Sequence, residues 1–360
     1  MKFKTKNTKT WHLLLMLITL ILVSCGGDGG SVEDPNLPSN LKLSYTIEGT
    51  SSQFPNGNGS GTITLNFSSD NTTLYKVNLG DGTIIETPSK TLTYTYTGSG
   101  LKTYQIYVSA YNKTNFVTAN ASITIFIASA LIWSDEFNTD GAPNSSKWGY
   151  DLGAGGWGNN ELQYYTNRPE NVIVQNGVLK IKTLKESYNG SNYTSARMLT
   201  KDKFSFKYGK VEIRAKLPFG GGTWPALWML GANISTVGWP ACGEIDIMEH
   251  AGNNLNTVSS ALHTPSSFGN TINYKAKYIP DVSTTFHVYG VEWTAEKIDF
   301  SVDGIVFYTY SPASKTAQNW PFDANQFIII NCAMGGNFGG AVDPNFTSST
   351  FEIDYVRVYQ

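Results

Sequence analysis

Charge is scarce in this chain of 360 residues: Asp, Glu, Lys and Arg together make up 15 %, against about 25 % in an average protein. With a formal net charge of −2 and no basic block beyond the first ten residues, the composition excludes the electrostatic footprint of a nucleic-acid binder. Cysteine is rarer still. The three present are Cys25, Cys242 and Cys332. Without a CxxC spacing they exclude both a disulfide framework and a thiolate metal centre. Also missing is any long stretch of 3.6-residue apolar periodicity, which excludes a helical bundle. What remains is rich in Gly, Thr, Ser and Asn, with 13 % aromatic residues. β-Branched, aromatic and turn-forming residues in that mixture predict an all-β protein of many short strands.

The N-terminus reads as a processing signal and stays outside the fold. Lys2, Lys4, Lys6 and Lys9 precede an apolar run from Trp11 to Val23, too short to span a bilayer comfortably. The run ends in Leu22-Val-Ser-Cys25, which resembles the lipobox of bacterial lipoproteins. That resemblance implies a signal peptide over 1–24 and a lipid on Cys25. The expected location is the bacterial cell envelope, at the outer membrane. An ordinary signal peptide is the alternative, and it too implies export. Residues 25–40, with Gly26-Gly-Asp-Gly-Gly30 and two prolines, read as a flexible tether. Cys242 and Cys332 are then left either to pair or to stay as two buried thiols.

Two units are expected beyond the tether. Residues 41–128 alternate apolar and polar positions in short runs such as Thr62-Ile-Thr-Leu-Asn-Phe67 and Thr103-Tyr-Gln-Ile-Tyr-Val108, the pattern of a small antiparallel sandwich. Tyr75-Lys-Val-Asn-Leu-Gly-Asp-Gly82 with Tyr94-Thr-Tyr96 resembles the immunoglobulin-like modules of PKD type. No cluster of acids, histidines or nucleophiles accompanies it, so it reads as a spacer or a weak glycan-contact module. Residues 131–360 hold a longer series, including Lys210-Val-Glu-Ile-Arg-Ala-Lys216, Ile298-Asp-Phe-Ser-Val302 and Phe351 to Val358. These predict a large two-sheet β-sandwich.

Within that unit, Glu244-Ile-Asp-Ile-Met-Glu249 concentrates three carboxylates in six residues. Strand side chains alternate, so Glu244 and Asp246 share one face while Ile245 and Ile247 share the core face. Strict alternation leaves Glu249 on the core side. A one-residue bulge near Met248 returns it to the face of the other two. Such a cluster is an ordinary solvated strand face unless something lies over it, and Trp224, Trp228 and Trp239 nearby suggest a sugar-binding cleft. Glycoside hydrolysis uses a set of this kind, a nucleophile and a proton donor. Asp246 between them is expected to raise the pKa of the donor.

The whole of 131–360 resembles the family 16 glycoside hydrolases, β-jelly-roll enzymes that cut internal β-glycosidic bonds. By that resemblance Glu244 is the nucleophile, Asp246 the assisting acid and Glu249 the acid/base. Gly156-Trp-Gly-Asn-Asn-Glu-Leu-Gln-Tyr-Tyr165, Tyr193-Thr-Ser-Ala-Arg197, Thr223-Trp-Pro-Ala-Leu-Trp-Met-Leu230 and Ala261-Leu-His-Thr264 are similar to the laminarinase-type branch, which acts on β-1,3-glucan. The bulged motif departs from the lichenase-type branch. Asn160, Arg197, Trp224, Trp228 and His263 are the substrate contacts this implies. From the residues alone, the tryptophans fit a core equally well, Arg197 a surface charge, and His263 a structural role. His250 and His287 read as structural. The family further implies a structural calcium at Glu136, Gly177 and Asp354, with no cofactor for catalysis. The partners expected are a β-glucan polysaccharide and the membrane, with the protein a monomer. A mixed-linkage glucanase, a galactan hydrolase and a non-catalytic glycan-binding lipoprotein remain the alternatives.

Overall fold

A computed structural model describes residues 37–360, so the leader, Cys25 and most of the tether lie outside the described residues. The described chain divides into two compact units, with the second beginning at Leu131.

The first unit is a two-sheet antiparallel sandwich. Ser39–Ile47, Thr62–Asp70 and Thr91–Thr95 form one sheet; Ile84–Thr87, Leu74–Asn78, Gly100–Asn112 and Asn115–Ile127 form the other. Alternate residues fill its core, among them Ile63, Leu65, Val77, Ile106, Val108 and Ile125, all fully buried. The Leu79-Gly80-Asp81-Gly82 turn depends on its first glycine. At φ +80° a Cβ on Gly80 would lie 2.6 Å from the carbonyl oxygen of Gln105, closer than backbone packing allows.

The second unit packs a ten-stranded sheet on a seven-stranded one. The smaller sheet runs, in spatial order, Tyr274–Tyr278, Thr257–His263, Glu244–His250, Thr223–Gly231, Gln326–Met334, Arg197–Leu199, Gly149–Asp151. All its pairings are antiparallel. One face supplies Leu227, Met229, Ile245, Leu262, Ile328 and Ile330 to the core, against Ile213, Val291, Phe351 and Ile353 of the larger sheet. The only two α-helices among the described residues are single turns, Ile234–Val237 and Gly336–Gly339. This is an all-β, jelly-roll-like unit. Its seven-stranded sheet presents the opposite face to a cleft.

Of the two fates open to Cys242 and Cys332, the structure has both as free, buried thiols. Burial pushes Cys242 up to about 11 and Cys332 up to about 12, so neither is a reactive thiolate. Reductant is therefore expected to leave the melting temperature of the second unit unchanged; a fall of several degrees with dithiothreitol would show that a stabilising disulfide had been present.

Candidate active site

The acidic strand acquires its geometry from one irregularity. Leu227 pairs with Met248, yet Trp228 pairs with Asp246, so Ile247 is an extra residue relative to that neighbour. On the other side Asp246 opposes Ala261 and Glu249 opposes Ser259, leaving Ile247 and Met248 facing Ser260 alone. Both Ile247 and Met248 are buried in the core. The Ser260 hydroxyl donates to the Ile247 carbonyl at 2.7 Å, satisfying a group at the site of the disrupted ladder. The energetic reason is plain. Burying a side chain the size of Met gains about 1.5–3 kcal/mol, whereas an unpaired carboxylate in the core costs several kcal/mol or more. A bulge keeps the methionine in and turns Glu249 out, to the side of Glu244 and Asp246.

The neighbouring strand builds the floor by simple alternation. Trp224, Ala226, Trp228 and Leu230 line the cleft, with Leu227 and Met229 between them in the core. The Trp224 indole N–H donates to Glu249 Oε1 at 3.0 Å, and the Trp239 indole N–H donates to Glu244 Oε2 at 2.8 Å. Each glutamate is thus pinned through one oxygen, leaving its other oxygen for a ligand. Trp239 itself is 46 % exposed and packs edge-on against Phe268. Trp228 donates instead to Asn331 Oδ1 at 2.8 Å.

His263 pairs with Glu244 across the strands. Its Nδ1 accepts the Gly269 backbone N–H at 3.1 Å, so the neutral ring carries its hydrogen on Nε2. That nitrogen lies 3.2 Å from Asp246 Oδ2 and 3.7 Å from Glu244 Oε1. His263, Glu244 and Asp246 are also the only group of three potential metal-ligating side chains among the described residues.

Electrostatics follow from this crowding. Burial first, then repulsion from Asp246, pushes Glu244 up to about 8, with His263 and the Trp239 N–H acting the other way. Glu249 is likewise pushed up to about 8 by burial and by Asp246. Burial alone does the same to Asp246. The three acids cannot all be ionised at neutral pH, so the cluster holds a proton there, as acid/base chemistry requires. His250, the next residue, is fully buried with no partner for either ring nitrogen; burial pulls it down to about 4, and it is neutral. His287 bridges Asp281 and Asp303 far along the larger sheet, at 3.1 and 2.7 Å.

The sheet brings Arg197, Trp224, Trp228 and His263 together with the acids around one cleft of about 850 Å³. Arg197 is held by Asp151 at 3.0 Å and sandwiched between the rings of Trp157 and Trp228, at 4.9 and 4.8 Å. Asn160 is a correction. It sits at φ +57°, exposed, and its side-chain amide donates to Asn337 rather than lining the cleft. Its neighbours Asn159 and Glu161 line the cleft instead. Pairing of Val356 with Asp135 and of Ile353 with Leu179 brings the three residues of the expected calcium set, Glu136, Gly177 and Asp354, into one neighbourhood. The Glu136 side chain forms a two-pronged pair with Arg357, and that of Asp354 is paired with Arg214.

Residues 159–357 match the family model of the glycosyl hydrolases, family 16. A beta-glucanase of Rhodothermus marinus is 46 % identical over 244 residues, covering 64 % of this chain and 85 % of that protein. A glucan endo-1,3-beta-glucosidase of Cryptopygus antarcticus is 38 % identical over 248 residues, covering 63 % and 90 %. Among solved structures, the laminarinase of Flavobacterium sp. UMI-01 superposes with a TM-score of 0.61 at 47 % identity, over 64 % of this chain and all of that one.

Proposed function

Given that this chain belongs to glycosyl hydrolase family 16, we propose that it is a retaining endo-hydrolase of β-1,3-glucan, acting through a covalent glycosyl-enzyme on Glu244. The enzyme class rests on the family; the substrate reading is supported by the relatives that are named as laminarinases and endo-1,3-glucosidases. The assignment of roles is carried by one observation, the unequal surroundings of the two glutamates. Glu244 has both the Trp239 N–H and His263 beside it, donors that favour its anion. Burial and Asp246 raise both glutamates to about 8, and Glu249, with a single indole donor, is the one less able to carry the charge and so keeps its proton.

In the first step the Glu244 carboxylate attacks the anomeric carbon while Glu249 gives its proton to the departing glycosidic oxygen, leaving a glycosyl ester on Glu244. Glu249, now ionised, takes a proton from water, which attacks the same carbon and releases Glu244. Trp224 and Trp228 offer faces to the sugar, and the stacked Arg197 offers donors to its hydroxyls. The Asp246 and His263 side chains hold the proton distribution between the two glutamates. The reading also includes export with a lipid on Cys25, and a PKD-like first unit serving as spacer.

Incubation with a panel of β-glucans tests it. Laminarin is expected to yield oligosaccharides of mixed length, with the β-anomer appearing first by NMR. Release of the α-anomer first would overturn retention, and cleavage of other glucans with laminarin untouched would overturn the substrate.

A further inference from the structure

Glu161 has no part in the chemistry above, yet it is a carboxylate set into the cleft wall. It begins a short alternating run in which Glu161, Gln163 and Tyr165 fall on one face. Gln163 and Tyr165 are fully buried. Both serve Glu161 through the same oxygen: Gln163 Nε2 donates to Oε2 at 2.6 Å, and the Tyr165 hydroxyl at 3.1 Å. The hydroxyl in turn accepts from Asn331 Nδ2 at 3.0 Å, and Asn331 Oδ1 holds the Trp228 indole. Gln163 is anchored by the Met334 backbone N–H at 2.8 Å. Oε2 is therefore saturated and rigidly placed. Oε1 has only the Asn159 amide at 3.5 Å, the limit of a hydrogen bond. Burial raises the pKa of Glu161, and the Arg197 charge opposes that rise.

Its position along the cleft follows from the strand register. Arg197 pairs with Asn331, Asn331 with Ala226, and Ala226 with Glu249. Glu161 itself bridges Gly335, just past the end of the strand that pairs with Arg197. Like Arg197 it therefore lies three strand spacings of about 4.8 Å, roughly 14 Å, from the strand of Glu249, about two or three sugars along a chain laid across the strands.

We propose that Glu161 is a substrate-positioning carboxylate whose Oε1 accepts a hydrogen bond from a ring hydroxyl of a glucose unit about two or three sugars from the scissile bond. A desolvated, fixed acceptor beside the Arg197 donors is the arrangement that selects a polyol over water. This inference rests on the glucan-hydrolase reading and deepens it by naming where a long chain is gripped.

The test compares Glu161→Gln with wild type on a long and a short substrate, the short one an aryl β-glucoside, whose single sugar is too short to reach Glu161. Expected is a roughly tenfold to hundredfold higher KM on laminarin, with kcat and all values for the glucoside within about twofold of wild type. Equal losses on both substrates would assign Glu161 a purely structural role, and no loss on either would remove it from substrate binding; both results overturn the proposal. Glu161→Asp, which keeps the acceptor, is expected to recover part of the lost affinity, and it stands in if the Gln variant does not fold. Wild-type hydrolysis of laminarin is measured first. Its absence sinks the glucan-hydrolase reading by itself, and the comparison of variants is then made on whichever β-glucan the wild type cleaves.

Discussion

Glu244→Gln is expected to lose activity on laminarin by about three to four orders of magnitude, and Glu249→Gln by about two to four. The two losses separate when the leaving group changes. An aryl glycoside with an acidic phenol departs without protonation, so Glu249→Gln keeps near-normal formation of the glycosyl-enzyme on it. Glu244→Gln stays inactive on every substrate because no other side chain is placed to form the ester. Neither variant should unfold. Each removes a carboxylate that burial pushes up to about 8, so the melting temperature at pH 8 should rise slightly, while the indole partners Trp239 and Trp224 can still donate to the amide oxygen. Wild-type-like kcat in Glu244→Gln would sink the mechanism, and equal behaviour of the two variants on the aryl glycoside would sink the division of roles.

Asp246→Asn is expected to change the pH dependence of both stability and rate. The sign is fixed by where the proton goes. An unfolded Asp or Glu releases its proton near pH 4, whereas in the folded cluster burial raises Glu244, Asp246 and Glu249 to about 8. Between about pH 4 and pH 8 the folded state binds more protons, so stability falls as pH rises through that window. One such group is worth up to about 1.4 kcal/mol per unit of pKa difference. Discounted for an open cleft and for coupling among the three, a contribution on the order of 1–3 kcal/mol remains for Asp246. For a unit of this size that is a rise in melting temperature of about 2–10 °C at pH 8 for Asp246→Asn, with none at pH 4. The rate responds in the opposite sense. Without the Asp246 charge the Glu249 proton is lost more easily, so the alkaline limb of kcat/KM moves to lower pH. Calorimetry and a pH–rate profile read the two effects. A variant with an unmoved alkaline limb would show that Asp246 does not hold the Glu249 proton.

Much of the site was legible in the residues because the strand period is so strict. Glu244, Asp246, Trp224 and Trp228 occupy even positions on adjacent strands and end on one face. Even the bulge is written in the chain, since Ile247 and Met248 are two consecutive apolar residues between acids. Period-2 reasoning fails where the backbone turns. Trp157 and Asn160 both adopt positive φ, so Asn160 swings away and Asn159 and Glu161 face the cleft. Glu161 did carry a signal, its alternation with Gln163 and Tyr165, but a lone acid beside a turn looks like solvent. Asn331 was hidden for another reason. It is the one amide inside the apolar run Phe327 to Met334, and only the pairing of Trp228 with that strand reveals what its side chain holds. Sequence likewise does not show that Arg214 and Arg357 reach the carboxylates of Asp354 and Glu136.

The doubled inward step at Ile247 and Met248 has a consequence for how such a strand can change over generations. Loss of one codon inside a strand ordinarily inverts every later side chain, sending core residues to solvent. Here the loss of either Ile247 or Met248 would turn two inward residues into one and leave Glu244, Asp246 and the second glutamate on alternate positions of the same face. The reading frame of the chemistry would survive the deletion. A lineage could therefore drop the extra residue in a single event and retain its three acids in line, with Glu249 and the stretch after it keeping the partners they already have.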